Sequence, residues 1–258
     1  KNKSVLLRNC YDFSRTKQFL YCKGKALPLE KACNICRVFG LDESKLLIVD
    51  KNQRNSERIN LPEFVDEEFA RLFGFICGDG NIHNGSQLSF SSSEDELVNF
   101  HYKELLEKYF SKVRFERDKR SKKGLGKYVV DSTVACSLFE KMGYINNHDI
   151  NRIPDWVFTS TLNVRRAFVE GFSDADGCER HTKKGTWFST IELSNKQMIE
   201  DIKELWSSIG FCSGHIKDRT REGGHEIEPG RLMTSTTSHS VTISDLLLPD
   251  SECVLEVL

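Results

Sequence analysis

Two aspartates 97 positions apart, Asp79 and Asp176, each close a helix-like segment and precede a glycine. Their surroundings repeat. Leu72-Phe73-Gly74-Phe75-Ile76-Cys77-Gly78-Asp79-Gly80 is echoed by Val169-Glu170-Gly171-Phe172-Ser173-Asp174-Ala175-Asp176-Gly177. A helix C-terminus carries unpaired carbonyls and partial negative charge, so two carboxylates meeting there repel unless a cation intervenes. Mg²⁺ takes carboxylate, carbonyl and water ligands while leaving positions for phosphate oxygens. Two such ions can activate a water and stabilise the leaving oxygen of a phosphodiester. Paired carboxylates also suit glycoside hydrolysis. That reading leaves the basic segments described below without a role, and no aromatic-lined groove is apparent.

The motif segments must bring the aspartates together for any of this to operate. Gly74 and Gly78 are four residues apart, as are Gly171 and Ala175, so each helix presents small residues along one stripe. Small residues at that spacing let two helix backbones approach closely. Mid-helix glycine costs about 1 kcal/mol against alanine, which asks for a packing reason. Gly80 and Gly177 stand where a left-handed C-cap would turn the chain outward.

The echo extends downstream. Ser93-x-x-Glu96 and Ser194-x-x-Gln197 read as capping boxes opening two further helices. Leu97, Tyr102, Leu105, Leu106 and Tyr109 form the apolar face of the first; Met198, Ile202, Leu205 and Ile209 form that of the second. Hairpins fit between motif and box, from about Asn81 to Ser91 turning at Asn84-Gly85, and from about Cys178 to Leu193 turning near Lys183-Lys184-Gly185. Each half reads helix, two strands, helix, two strands and a final helix, Val134 to Met142 in the first half. The domains expected are an N-terminal helical accessory segment (1–60), a first repeat (61–150) and a second (151–258). The accessory segment holds one helix, Leu29 to Phe39, stopped by Gly40. Cys33-x-x-Cys36 lies within its apolar pattern and reads as core rather than as a zinc pair.

Basic residues concentrate where the hairpins fall. Lys112, Arg114, Arg117, Lys119, Arg120, Lys122, Lys123 and Lys127 form one cluster; Arg180, His181, Lys183 and Lys184 a second; Lys217, Arg219, Arg221 and Arg231 a third. Clusters at equivalent places in a repeat suit phosphate contacts, with Arg, Asn and Gln, including Asn81, able to read base edges in a major groove. His83 and His215 fall in expected strands as surface or DNA-facing groups. Phe73, Phe75 and Phe172 read as core.

The two segments resemble the paired signature motifs of single-chain LAGLIDADG homing endonucleases. The second copy keeps Gly171, Asp174, Ala175, Asp176 and Gly177; the first keeps Leu72, Gly74, Ile76, Asp79 and Gly80. The resemblance implies an α+β fold, a pseudo-twofold tandem αββαββα repeat with saddle-shaped antiparallel sheets and two central packed helices. It implies that Asp79 and Asp176, helped by the carbonyls of Gly78 and Ala175, bind Mg²⁺ or another divalent cation such as Mn²⁺. It further implies that a monomer cuts both strands of a long double-stranded DNA site, starting the homing of its own coding element. One position departs from the family. The slot three residues before Pro154, where intein-type relatives often carry a lysine, holds Asn151, with Arg152 next and His148 nearby. Asn151 and Arg152 are therefore the candidates for that lysine's role, although an arginine cannot act as a base. The same departure supports an alternative, a degenerate DNA- or RNA-binding protein that does not cut.

Bulk composition is compatible with all of this and excludes little. The 258 residues carry a net charge of −1, with 38% hydrophobic and 29% charged residues, so only local charge can bind a polyanion. Nine irregularly spaced cysteines argue against a closed disulfide framework, and no apolar run approaches a membrane span, so an intracellular location is expected. A start at Lys1 and an end inside an apolar run read as a piece of something longer.

Overall fold

A computed structural model describes residues 64–91, 95–110, 112–118, 125–147, 149–181, 187–223, 226–228, 231–232 and 235–244, with residues 34, 36, 37, 40, 59, 60 and 62 before them. Two compact units divide the chain, Lys1–Leu61 and Pro62–Leu258. In the first unit Asn34, Cys36 and Arg37 are helical and Gly40 has φ 63°, where a helix stop was expected. The rest of the expected accessory helix lies outside the described residues.

The second unit holds both repeats. The first begins with the motif helix Glu67–Asp79, followed by β1 (Gly80–His83), β2 (Gln87–Ser91), the flanking helix Glu96–Tyr109, β3 (Arg114–Arg117), β4 (Gly126–Asp131) and the closing helix Thr133–Lys141. After a short helix, Asp155–Thr159, the second motif helix Leu162–Asp176 leads into β5 (Gly177–His181), β6 (Trp187–Leu193) and the flanking helix Lys196–Ser208. β7 (Cys212–Ser213), β8 (Lys217–Arg221), β9 (Glu226–Glu228), β10 (Arg231–Leu232) and β11 (Thr236–Ser244) complete it. The sheets share one antiparallel plan. Strand order is β1-β2-β4-β3 in the first and β5-β6-β11-β7 in the second, with β8 also on the edge of β11. The tandem mixed fold expected from the sequence is the fold observed. A final helix expected in the second repeat would lie outside the described residues.

Local chemistry explains the element boundaries. Asp66 caps the first motif helix, accepting from the Phe69 amide at 2.8 Å and the Tyr109 hydroxyl at 3.0 Å, with Glu67 and Glu68 in the first turn. Asn84 and Gly85 have φ of 50° and 60° at the tip of the first hairpin, as their sequence signature predicts. The capping boxes are corrected. Asp95 caps the first flanking helix and Asn195 the second, each through its own side chain. Both are short acceptors standing next to the serine side of the box, and the nearer one wins the helix start. Leu97 is also corrected, being 81% exposed. Five positions at about 100° each carry it well off the Tyr102 stripe, and Asn99 is buried on that side instead. His215 lies between β7 and β8, not within a strand.

Aromatic side chains bind the first motif helix to its sheet, its flanking helix and its closing helix. Phe75 stacks on Tyr102 with centroids 3.6 Å apart and meets the edge of Phe90 on β2, which stacks on Tyr128 of β4. Phe73 stacks on Phe139 of the closing helix at 5.0 Å. Burying one such ring contributes roughly 1.5–3 kcal/mol. Phe73, Phe75 and Phe172 are therefore core, as read from the sequence.

Candidate functional site

The two motif helices pack on each other more extensively than any other pair of described elements. Their glycine stripes make this possible. A Cβ on Gly74 would stand 2.1 Å from the Phe168 carbonyl oxygen, and one on Gly171 only 1.9 Å from that of Arg71. Each glycine thus faces the other helix's backbone directly. One turn further on, a Cβ on Gly78 would meet the Ala175 Cβ at 2.5 Å and an Asp176 carboxylate oxygen at 2.9 Å. The helices run together to their C-terminal ends, and Asp79 and Asp176 emerge beside each other.

Gly80 and Gly177 correct one expectation. Neither is left-handed: φ and ψ are −77° and 154° at Gly80, −83° and 149° at Gly177. The chain passes straight from helix into β1 or β5, and the glycine amide still bonds back to Ile76 or Ser173. What requires glycine is space, since a Cβ would lie 2.2 Å from the Ile76 oxygen or 2.4 Å from that of Ser173.

Burial first, and the Asp176 carboxylate second, push the Asp79 carboxyl up from 3.8 to about 6. Among the described residues no group of three or more His, Cys, Asp and Glu side chains is placed to hold a metal. The two helix ends offer two mutually repelling carboxylates, Asp79 and Asp176, with main-chain carbonyls beside them as donors a cation could use. This set fits a hard divalent cation that keeps several waters.

The raised pKa has a stability consequence. A carboxyl that is harder to ionise in the folded state stabilises the fold below its unfolded value near 4, and that contribution is lost as pH rises through about 6. The cost above that range is at most about 3 kcal/mol. In metal-free protein, Asp79→Asn is expected to melt higher than wild type at about pH 8, with the two curves converging by about pH 3.5. Thermal melts in chelator across that range check this; parallel curves would contradict it.

Residues between the repeats lace the site together, and sequence reasoning missed most of them. Tyr144 donates from its hydroxyl to the Gly80 carbonyl at 2.7 Å. Asn146 accepts from the Ile82 amide at 3.0 Å and donates to the Ile82 carbonyl at 2.7 Å, completing the free edge of β1. Asn151 is 2% exposed; its amide donates to the Cys77 carbonyl at 3.3 Å, and its own carbonyl accepts from Asn195 at 2.7 Å. Arg152 forms a bidentate pair with Asp201 at 2.6 and 2.7 Å, which also receives the Ile153 amide. Asn151 and Arg152, the candidates for a catalytic lysine's part, are both engaged in the structure. One is sealed against the helix end, and the other's guanidinium is held by a carboxylate on the second flanking helix. The usable signal was asparagine itself, whose amide can satisfy main-chain donors and acceptors.

Another contact crosses the repeats. Arg71 of the first motif helix bonds Asp174 of the second at 2.7 Å and Tyr102 of the first flanking helix at 3.3 Å, and the Tyr102 hydroxyl also donates to Asp174. Burial alone would lower the Arg71 pKa; the bonds to Asp174 and Tyr102 more than offset this and raise it.

Alternation along the strands assigns the remaining candidates to faces. Ile82, Leu88, Phe90 and Val130 turn to the helices, so Asn81, His83, Arg114 and Lys127 share the opposite, outer face of the first sheet. Arg117 does not join them, because three positions after Arg114 puts it on the other face. In the second sheet Ile191, Val241 and Ile243 face the core, which leaves Lys217, Arg219 and Arg221 outward and exposed. Arg180 lies in β5 and Arg231 in β10, with side chains outside the description. Lys119, Arg120, Lys122, Lys123, Lys183 and Lys184 lie outside the described residues altogether.

Residues 163–244 match the family described as LAGLIDADG-like domain. The second repeat is a LAGLIDADG-like domain. The resemblance carried by the motif residues is thereby borne out, and the first repeat has the same strand plan. The chain is 30% identical over 172 residues to a DNA polymerase of Thermococcus litoralis, covering 62% of this chain and 10% of that protein. It is 25% identical over 186 residues to the replication factor C small subunit of Methanocaldococcus jannaschii, covering 69% of this chain and 10% of that protein. The chain thus spans about a tenth of the length of these curated relatives. Among solved structures, a variant of I-DmoI in complex with its target DNA in the presence of Mn shows 15% identity and a TM-score of 0.45, covering 69% of this chain and 86% of that one. No helix among the described residues is long and apolar enough to cross a membrane.

Proposed function

We propose that this chain is a site-specific DNA endonuclease, acting as a monomer, that makes a double-strand break by divalent-metal-dependent phosphodiester hydrolysis. The observation that carries the reading is the glycine-mediated approach of the two motif helices, which delivers Asp79 and Asp176 to one place. Asp79, Asp176 and the carbonyls of Gly78 and Ala175 would hold Mg²⁺ or Mn²⁺. Such an ion supplies Lewis-acid charge and a water of lowered pKa. The outer sheet faces, with Asn81, His83, Arg114 and Lys127 on one and Lys217, Arg219 and Arg221 on the other, would lie along duplex DNA on either side of that point. Asn151 and Tyr144 act as positioning residues, holding the end of the first motif helix and the start of β1.

The relatives support a mobile origin. A DNA polymerase and a replication factor C small subunit share with this chain only a tenth of their length, the pattern of an element inserted into unrelated host proteins. The proposed role is to start the homing of such an element, of the intein type.

A second reading, a DNA- or RNA-binding protein that does not cut, is favoured by the commitment of Asn151 to Cys77 and of Arg152 to Asp201. Selecting cleaved molecules from a randomised duplex library in Mg²⁺ separates the two. Enrichment of one long site, cut on both strands and spared when chelator replaces Mg²⁺, is the expected result. Binding enrichment of a site that is never cut would establish the second reading instead.

A further inference from the structure

The two sheets hold comparable numbers of outward cations but dispose of them differently. On the edge of the first sheet, β3 and β4 turn Arg114, Glu116, Lys127 and Asp131 to the outer face, two cations against two carboxylates. All four are engaged with one another. Arg114 bonds Asp131 at 2.8 Å and also pairs with Glu116, and Lys127 reaches Glu116 at 3.1 Å. Gln87 adds a further bond to Asp131 at 2.8 Å.

The corresponding edge of the second sheet is built on Lys217-Asp218-Arg219-Thr220-Arg221, every residue of it exposed. Alternation sends all three cations to the outer face, beside Ser240, Ser238 and Thr236 of β11. The one acid goes to the other face, where the His239 ring nitrogen lies 2.8 Å away, a contact that lowers the Asp218 pKa. Among the described residues, Glu192 alone answers the cations across the outer face, 3.6 Å from Arg221. Lys217 and Arg219 have no ion pair among the described residues.

We propose that the two repeats divide duplex binding unequally, with β8 of the second repeat supplying the phosphate contacts of the sheet strands and the self-neutralised β3–β4 edge of the first contributing hydrogen bonds and shape. A cation already bound to carboxylates displaces few counterions from DNA, whereas each free one that meets a phosphate releases nearly one. The division rests on the DNA-binding reading above and is not implied by the fold, since both edges occupy the same place in their sheets.

Anisotropy titrations of a labelled duplex of arbitrary sequence, at salt concentrations from roughly 50 to 200 mM, test it. Lys217→Gln, Arg219→Gln and Arg221→Gln combined should reduce the magnitude of the log–log salt slope by roughly 2 to 3. Neutralising the whole first edge, with Arg114→Gln, Glu116→Gln, Lys127→Gln and Asp131→Asn, should move it by less than about 0.5. Circular dichroism confirms folding, and Glu116→Gln with Lys127→Gln serves if the fourfold variant fails to fold. Equal losses from both edges, or no loss from β8, would overturn the division while leaving DNA binding intact. A wild-type slope near zero would overturn the DNA-binding reading and the division together.

Discussion

Asp79→Asn and Asp176→Asn should each lower the single-turnover rate of cutting the selected duplex about 10³-fold, as expected for losing about 4 kcal/mol of charge stabilisation at the scissile phosphate. Duplex binding in Ca²⁺ or chelator should change little, because the lost group holds the ion and not the sheets' phosphate contacts. Both strands should be spared together. The two carboxylates stand at one place, with Asp176 directly beside the Gly78 position, so removing either one disturbs the donors of the whole centre. A variant that still cuts within tenfold of wild type would remove that aspartate from the site. Asp79→Asn carries a second signature, since the same change removes the buried charge, and with it the repulsion by Asp176, that together raise the Asp79 pKa. Loss of cutting should therefore come with higher stability of the metal-free fold, a combination that general misfolding does not produce.

Gly171→Ala is expected to have the largest effect on stability. Its new methyl would lie 1.9 Å from the Arg71 carbonyl oxygen, and the equivalent distance for Gly74→Ala is 2.1 Å from Phe168. Both obstacles are main-chain atoms of the opposite helix, so relief requires the helices to part. Overpacking of this kind costs about 3 kcal/mol, offset by about 1 kcal/mol of helix propensity gained on losing glycine. The net loss of about 2 kcal/mol should lower the melting temperature by about 4–8 °C. Gly78→Ala meets the Asp176 carboxylate, which can rotate away, and the Ala175 Cβ, which moves only with its backbone but lies at 2.5 Å rather than 1.9 Å, so it should cost somewhat less stability while weakening divalent-ion binding. Melting curves of the three variants, with Mn²⁺ titrations of Gly78→Ala, check the ordering. A Gly171→Ala protein that melts with wild type would mean that the helices are not in backbone contact.

The stripe that makes both predictions possible was visible in the bare chain because it depends on local periodicity. Four-residue spacing of Gly74 with Gly78 and of Gly171 with Ala175 places each pair on one side of a helix whatever surrounds it. The same holds for the Asn84-Gly85 turn, whose positive φ values are a property of those two residues. Cap positions were harder to read. Ser93 and Asp95, or Ser194 and Asn195, are all competent acceptors within two residues, and small differences in chain entry select among them.

What the chain determined alone was the repeat, the two glycine-lined helices, the paired aspartates at their ends and the basic hairpin regions, since all of these follow from residue type and short spacing. Only the tertiary structure decided what each polar group spends its bonds on. Asn151 is turned to the Cys77 carbonyl, Arg152 to Asp201 and Arg114 to Asp131 and Glu116, while Lys217 and Arg219 are left facing outward without an ion pair among the described residues. Those outcomes depend on partners brought close by packing and strand register, and a charge or an amide carries no record in sequence of the distant group that will neutralise it.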